Sequence, residues 1–275
     1  MNDKLAIITP TINPPVLVDF LKSVEKQRDK NFHVFIVDIT GTGTTQHLNS
    51  PRITLIKEKN KGYSYSVNKG LERAVSQGFT KFCVINDDTF FEDDFVEKAL
   101  SSLGRHPGSL LGGKIYYAAG YEYHKEKYNA GDKGRVIWYA GGTFDWDHVL
   151  SNHVGVDEVD SGQFESERET AFITGALMLF DKNALDRVGF WDESYFLYFE
   201  DADYCIRATN AGIKLYYDPS VVIWHKVSQS TEGSGSELHV RYQTKNRLKF
   251  GLKYAPVRTK IHLLKNFFLG SFSKK

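Results

Sequence analysis

The heptapeptide FHVFIVD at residues 32–38 decides how this chain is read. It is a short apolar run that ends on an acid, Asp38, and a Thr/Gly loop follows at 40–45. It reads as a strand between turns. Upstream, residues 16–27 carry Leu17, Phe20, Leu21 and Val24 at helical spacing. Before them LAIIT (5–9) is a second apolar run, stopped by Pro10, which suits a buried parallel strand. Downstream, ITLI (53–56) predicts a third strand and residues 65–77 a helix ending at Gly78. FCVI (82–85) predicts a fourth strand, and 93–103 a helix closed by Gly104. Strands alternating with helices predict an α/β fold with a mostly parallel central sheet flanked by helices. The ligand site of such a sheet lies beyond the carboxyl ends of its strands. Asp38, Asn86, Asp87 and Asp88 fall at such ends.

From Gly112 to Gly162 the pattern turns irregular and rich in Gly, Tyr and Trp. It reads as a mixed strand and loop excursion over the sheet, either lining a substrate site or merely decorating the surface. FITGALMLF (172–180) is apolar on both faces and predicts another central strand, with Gly175 and Ala176 marking a close backbone approach. Residues 201–209 predict a helix ending near Gly212, and 214–217 and 221–224 two short strands. Only 228–236 reads as a flexible loop, and no internal repeat is present. One continuous domain is expected over 1–240. A basic amphipathic segment, 241–275, is part of the same domain or associates with a membrane.

Hydrophobic and charged fractions of 41% and 25% over 275 residues fit an ordinary soluble globular protein rather than a fibrous or membrane-embedded one. Lys+Arg 35 against Asp+Glu 34 leave almost no net charge, yet residues 241–275 contain basic residues and no acid. That asymmetry points to an anionic surface and not to nucleic acid. Cys83 and Cys205 sit inside apolar patterns without metal-like spacing and read as buried small hydrophobes. No N-terminal signal pattern and no run of about 18 apolar residues is found. A cytoplasmic protein is expected, in contact with the inner face of the membrane if the basic segment binds lipid.

Two acidic clusters and one histidine carry the chemistry: VINDDT (84–89), YFLYFEDAD (195–203) and WHK (224–226). A carboxylate at the end of a buried strand is costly to place for stability alone. Hard divalent cations take oxygen ligands, and a phosphate-bound Mg2+ or Mn2+ uses one or two carboxylates. The 86–89 turn therefore reads either as a metal site or as a solvated turn capping the next helix. His225 reads either as a packed residue beside Trp224 or as a metal ligand, since imidazole suits Mn2+. Glu200, Asp201 and Asp203 open a helix, where the macrodipole favours the ionised carboxylate that a general base needs. The same placement also arises for purely structural reasons. TGTGTTQ (40–46) lacks the third glycine of a dinucleotide fingerprint and no GxxxxGK[ST] occurs, which disfavours NAD and Walker-type nucleotide binding.

Taken in order, these motifs resemble the family 2 glycosyltransferases of GT-A fold, especially their rhamnosyltransferase- and galactofuranosyltransferase-like branch. ITPTIN (8–13) is similar to the family's opening strand and loop, and IVD (36–38) to its base-binding strand end. NKGYSYSVNKGL (60–71) matches the element beside the nucleotide, and INDDT (85–89) occupies the DxD position. GGTFDW (141–146), TGALML (174–179), GFWDESYFLYFEDADYCIRA (189–208) and DPSVVIWHK (218–226) complete the set, so the likeness runs from Leu5 to about Phe250. The resemblance implies Asp88 and His225 as metal ligands, Asp201 as catalytic base, and Asp38 as the acid that meets the nucleotide base. It puts Pro10, Thr11, Asn60, Asn68, Asn86 and Asp87 near the nucleotide sugar. Gly175, Trp191, Tyr198 and Glu200 are candidates for sugar or acceptor contact. Two departures stand out: Asn86 replaces the first Asp of DxD, and Ile39-Thr40-Gly41 replaces the usual Asn-Gly-Ser.

The implied reaction is an inverting transfer from a nucleotide-diphosphate sugar, dTDP-rhamnose or a UDP-sugar, to a hydroxyl of a glycan or polyprenyl-linked acceptor. The implied cofactor is Mn2+ or Mg2+. The rival expectations are a catalytically inactive carbohydrate- or lipid-binding module and a metal-dependent phosphoesterase. A sugar-phosphate nucleotidylyltransferase is disfavoured, because no Gly-rich basic loop follows Thr9.

Overall fold

The computed structural model describes residues 2–42, 45, 48, 50–227 and 237–272. The loop expected at 228–236, and Gly43, Thr44 and Gln46 of the Thr/Gly loop, lie outside these residues. The first half builds β1 (Asn2–Thr11), α1 (Leu17–Lys26), β2 (Phe32–Asp38), β3 (Ile53–Lys57), α2 (Tyr63–Ser76) and β4 (Phe79–Ile85). These strands lie side by side as β4-β1-β2-β3, all parallel. Leu5, Ile7, Val34, Ile36, Val84 and Ile85 are fully buried. Each such side chain contributes roughly 1.5–3 kcal/mol by leaving water, which explains why apolar runs of this length become central strands. β1 continues past its expected stop at Pro10 to Thr11. Pro10 is tolerated because pairing with β4 has ended at Ile8, so no ladder donor is missing on that side.

The second half adds β5 (Thr89–Phe90), α3 (Phe95–Arg105), β6 (Leu110–Tyr117), β7 (Ile137–Tyr139), β8 (Gly142–Asp145) and β9 (Leu150–His153). β10 (Arg168–Glu169), β11 (Leu177–Asp181), α4 (Lys182–Val188), α5 (Glu200–Asn210) and β12 (Leu215–His225) follow. The sheet order is β10-β12-β6-β11-β4-β1-β2-β3. Of the long strands only β11 is reversed, wedged antiparallel between β4 and β6. Its first residue, Leu177, therefore sits opposite the last of β4, Ile85. Gly175 and Ala176 are thereby brought to the same edge as the carboxyl ends of the parallel strands.

Four expectations change in this half. β6 is a central strand hidden in the stretch read as irregular, because Gly112 and Gly113 interrupt its apolar pattern. Glycine is needed there: a Cβ on Gly113 would lie 2.2 Å from the Val221 carbonyl oxygen of β12. The strand expected at 172–180 is regular only from Leu177. The two strands expected at 214–217 and 221–224 are one, β12, with an irregularity between Asp218 and Val222 that absorbs Pro219. Helix α3 runs through Gly104 to Arg105, since that glycine faces open space. Cys83 and Cys205 are buried and unpaired, as expected, and burial pushes both thiols up.

Helix α6 (Glu237–Tyr254) crosses the boundary expected at 240, and α7 (Val257–Phe272) follows. α6 is anchored by chemistry that leaves its cations partnered. Lys253 Nζ and Tyr254 Oη donate to Asp203 at 2.7 and 2.8 Å, and Arg207 Nε reaches the other Asp203 oxygen at 2.7 Å. Asp203, expected at a helix start beside the other acids, thus faces away from them into an ion cluster in which it is itself fully buried while Lys253 and Arg207 stay partly exposed. Phe250 of α6 stacks on Trp146 at 5.9 Å and Phe144 at 6.0 Å. Among the described residues no helix is long and apolar enough to cross a membrane.

Candidate active site

The carboxyl ends of β1, β4 and β12 open on one cavity of about 550 Å³, lined by Pro10, Thr11, Asn86, Asp87, Asp88 and His225 on that side. Local pairing assembles the acid and the imidazole. β5 runs antiparallel to the end of β12 with Thr89 opposite His225, and Lys226 N donates to the Asp88 carbonyl at 2.9 Å. Asp88 Oδ1 consequently lies 2.9 Å from His225 Nε2, with both side chains about nineteen-twentieths buried. Trp138 packs edge-on against the His225 ring, centroids 4.6 Å apart. Two adjacent ligands on an octahedral cation with bonds of about 2.1 Å lie about 3 Å apart. The pair therefore fits a hard divalent cation by spacing and by donor type. No group of three or more His, Cys, Asp or Glu able to hold a metal exists among the described residues. A cation held by this pair would have to take its other ligands from substrate oxygens and water, the usual habit of a phosphate-bound ion.

The opposite wall is the start of α5. The chain enters it through Tyr198 and Phe199, both left-handed at φ of 68° and 69°. For non-glycine residues such backbone costs of order 1–3 kcal/mol and needs surrounding structure to hold it. Asn246 of α6 supplies part of that hold, donating to the carbonyls of Leu197 and Tyr198 at 2.8 and 3.1 Å. From the other side Tyr63 N donates to the Phe196 carbonyl at 2.8 Å. Gly62 makes this approach possible: its φ is 104°, and a Cβ would meet the Phe196 oxygen at 2.5 Å.

The loop delivers Glu200 and Asp201 to the cavity. Asp201 Oδ2 accepts from Gly175 N at 2.9 Å and Oδ1 from Ala202 N at 2.8 Å. Burial pushes Asp201 above the usual carboxylate range, against the pull of these backbone N–H groups. Glu200 is driven much further up, by burial first and then by the Asp201 charge. Both carboxylates are thus pushed up, Glu200 the further, so that of the two it is the one that holds its proton to the higher pH.

A stability prediction follows from the sign of the Glu200 shift. Between its unfolded and raised folded pKa the native state holds the extra proton, so stability falls as pH rises. Each unit crossed is worth up to about 1.4 kcal/mol. Glu200→Gln removes that penalty. Its melting temperature is expected to exceed the wild type's at pH 8, by roughly 2–4 °C per kcal/mol, with the gap closing towards pH 4. A gap independent of pH in differential scanning calorimetry contradicts this.

The expected residues do not all reach the cavity. Pro10, Thr11, Asn60, Asn86, Asp87, Asp88, Gly175, Tyr198, Glu200, Asp201 and His225 line it. Asn68 lies behind the wall, where its amide donates to Trp191 O at 3.0 Å and accepts from Trp191 N at 2.9 Å. Trp191 is itself 2% exposed and stacked on Tyr204, so in this structure it is packing and not a contact surface. Asp38 is buried at the end of β2, with Ile39 rather than its own carboxylate on the cavity. Burial raises its pKa, but hydrogen bonds from Thr40 and Thr45 outweigh this and hold it below the ordinary value. Trp138, which opens an aromatic segment expected as an acceptor platform, also lines the cavity, as do Tyr63 and His153, which the sequence did not single out. His153 is pushed down to about 4, chiefly by burial, and its ring donates from Nδ1 to the Trp138 carbonyl oxygen, 2.9 Å away. No local pattern marks Tyr63 or His153, since only tertiary contact brings them in.

Comparison with known proteins bears on this geometry. A family model described as glycosyltransferase like family 2 matches residues 4–250. The chain belongs to that family. Among curated relatives, the family 2 chain is 20% identical to the dTDP-rhamnosyl transferase RfbF of Shigella flexneri over 234 residues, 84% of this chain and 72% of that one. It is 38% identical over 66 residues to the N-acetylglucosaminyl-diphospho-decaprenol L-rhamnosyltransferase of Mycobacterium tuberculosis, covering 24% of this chain and 22% of that protein. With rhamnosyltransferase WbbL of Escherichia coli it shares 30% over 76 residues, 27% and 29% of the two chains. These relatives place the glycosyltransferase in the rhamnosyltransferase-like branch. The solved structure of GalNAc-T7 with UDP, GalNAc and Mn2+ superposes with a TM-score of 0.63 at 11% identity, over 87% of this chain. This chain spans 47% of that one, and the likeness gives the fold, GT-A.

Proposed function

We propose that this glycosyltransferase inverts the anomeric centre of a nucleotide-diphosphate sugar while moving it to a hydroxyl of a glycan or polyprenyl-linked acceptor. The observation that carries the reading is the pairing, on one cavity, of a carboxylate poised as a base with a buried carboxylate–imidazole pair. Asp201 takes the acceptor proton as the acceptor oxygen bonds to the anomeric carbon. The bond from that carbon to the diphosphate breaks, and its electron pair leaves on the diphosphate. Backbone N–H groups of Gly175 and Ala202 hold the Asp201 oxygens in place for this step. When bound by Asp88 and His225, Mn2+ or Mg2+ neutralises charge growing on the leaving group. Pro10, Thr11, Asn60 and Asp87 are proposed to border the nucleotide sugar, with Asp38 acting indirectly through its loop. dTDP-rhamnose is the leading donor, supported by the name of the S. flexneri relative, and a UDP-sugar the second. The Mn2+ named with GalNAc-T7 supports a divalent cation.

A thermal-shift screen of nucleotide sugars, each with and without Mn2+, tests the reading. One donor is expected to raise the melting temperature by several degrees only when metal is present. If no donor shifts it under either condition, the inactive binding module takes precedence.

We further propose that residues 1–254 form the catalytic unit and that α7 meets an anionic membrane surface on the cytoplasmic side. Thr259 faces inward on α7, whereas Val257, Ile261 and Leu264 form an exposed apolar stripe at helical spacing. Arg258 and Lys265 flank the stripe on one side and Lys260 on the other, and residues 241–275 hold no acid to repel phosphate headgroups. That is the pattern of an interfacial helix on anionic lipid. Replacing Ile261 and Leu264 by Ser is expected to cut co-sedimentation with phosphatidylglycerol vesicles about tenfold while leaving the fold intact. Undiminished co-sedimentation excludes α7 as the contact.

A further inference from the structure

Tyr63, the first residue of α2, puts its hydroxyl between the two halves of the site. Its Oη lies 2.8 Å from the Gly175 carbonyl oxygen and 2.9 Å from Asn86 Oδ1, so that with the amide placed this way, Nδ2 towards His225, one hydroxyl faces two acceptors. The other end of that amide is 3.5 Å from His225 Nε2. The phenol hydroxyl has a single proton to give. One proton serves one acceptor. The Gly175 carbonyl can only accept, so the Tyr63 proton goes there. The Asn86 amide can be satisfied at Tyr63 only by turning its NH2 group to the hydroxyl as donor. A half-turn of an amide exchanges its O and N, and the hydrogen-bond network decides between the two orientations. With NH2 on Tyr63, the carbonyl oxygen of Asn86 faces His225 and Asp88.

We propose that Tyr63 is a positioning residue that turns the Asn86 carbonyl oxygen towards the Asp88–His225 pair, making Asn86 a third, neutral oxygen donor for the divalent cation. The inference rests on the metal-assisted reading above. It also gives a physical sense to the asparagine that stands where DxD begins with an acid. A carboxylate presents oxygen whichever way it is turned, whereas an amide presents oxygen only if something holds it. Tyr63 provides that hold and ties it to the other side of the cavity, because Gly175 accepts from Tyr63 and donates to Asp201. A neutral donor in place of an acid lowers the negative charge facing the donor diphosphate, so the substrate meets less repulsion while the cation gives up the attraction of one more charge.

The test is the affinity for Mn2+, followed by the electron paramagnetic resonance of the free ion, in the presence of dTDP and without turnover. Tyr63→Phe is expected to weaken Mn2+ about tenfold, the lower end of what losing a partner of a ligand costs. The same substitution made in Asn86→Asp, whose side chain needs no orientation, is expected to leave Mn2+ affinity within twofold of Asn86→Asp alone. In Asn86→Ala it is also expected to add nothing, since contacts that act as one unit are not additive. If Tyr63→Phe weakens Mn2+ equally in all three backgrounds, Tyr63 is merely structural and the proposal falls. If it changes nothing while Asp88→Ala abolishes binding, the proposal falls and the metal-assisted reading stands. If the wild type binds no more Mn2+ than Asp88→Ala, both fall together.

Discussion

Asp201→Asn is expected to lower turnover by about 10²–10⁴-fold, the usual worth of a positioned base, while donor affinity changes less than threefold. The substitution keeps shape and volume and retains an oxygen that can accept from Gly175 N. What it removes is the ability to take a proton. The wild-type pH profile should show the same group. Asp201 must be ionised to act, and burial sets its pKa above the ordinary carboxylate value. Activity is therefore expected to fall as pH drops through that raised pKa, a limb that begins at higher pH than an exposed aspartate would give. Rate measurements under saturating donor, set beside calorimetric donor titrations, separate the two effects. A variant with near-normal turnover, or one whose loss is all in donor binding, would remove Asp201 from the role of base. Glu200→Gln is the matched control, since a group that already holds its proton cannot serve as base at neutral pH. It is expected to cost far less in rate.

Why Asp201 was legible in the sequence and Tyr63 was not is a matter of where the information lies. The parallel strands β1, β2 and β4 announce themselves because burial on both faces demands an apolar run, and each ends at or just before a polar residue that the edge of the sheet tolerates. Asp88 and Asp201 stand immediately beyond apolar stretches, so local pattern marks them. β6 broke the same rule with Gly112 and Gly113: a Cβ on Gly113 would meet the Val221 carbonyl of β12, and one on Gly112 would crowd Ile173 and Tyr139. β12 looked like two strands because Asp218 and Pro219 imitate a turn, although the ladder with β6 resumes at Val222. The reversed direction of β11 left no trace in composition, yet it places Gly175 where Asp201 needs a donor. Trp191 and Asn68 were over-read for the opposite reason. Their position beside recognisable motifs suggested contact with substrate, whereas they bond to each other behind the wall. Lys249 and Lys253 of α6 likewise answer to Asp192 and Asp203 of the domain, so part of the basic charge in 241–275 is already engaged within the fold.

Asp88→Ala is expected to abolish the metal-dependent part of donor binding and to cut turnover by about 10²–10³-fold, on the scale of losing one preorganised electrostatic contact to developing charge. Neighbouring Asp87 is the informative comparison, because both acids line the cavity and composition alone cannot rank them. The geometry does: Asp88 is the one within 2.9 Å of His225 Nε2, held there by the pairing of Thr89 with His225. Asp87→Asn should accordingly retain Mn2+-dependent donor binding within about tenfold, and His225→Ala should resemble Asp88→Ala. Removing either member of a buried pair also strands the other, so each variant needs its melting temperature recorded beside its titration. Asp88→Asn keeps one oxygen and the packing, which makes it the milder test if the alanine variant unfolds. Donor titrations by calorimetry, run with Mn2+ and again with a chelator, should then converge for Asp88→Ala and stay apart for the wild type. Identical curves for wild type and variant in Mn2+ would sink the assignment of Asp88, and a larger loss in Asp87→Asn would transfer the role to the neighbouring acid.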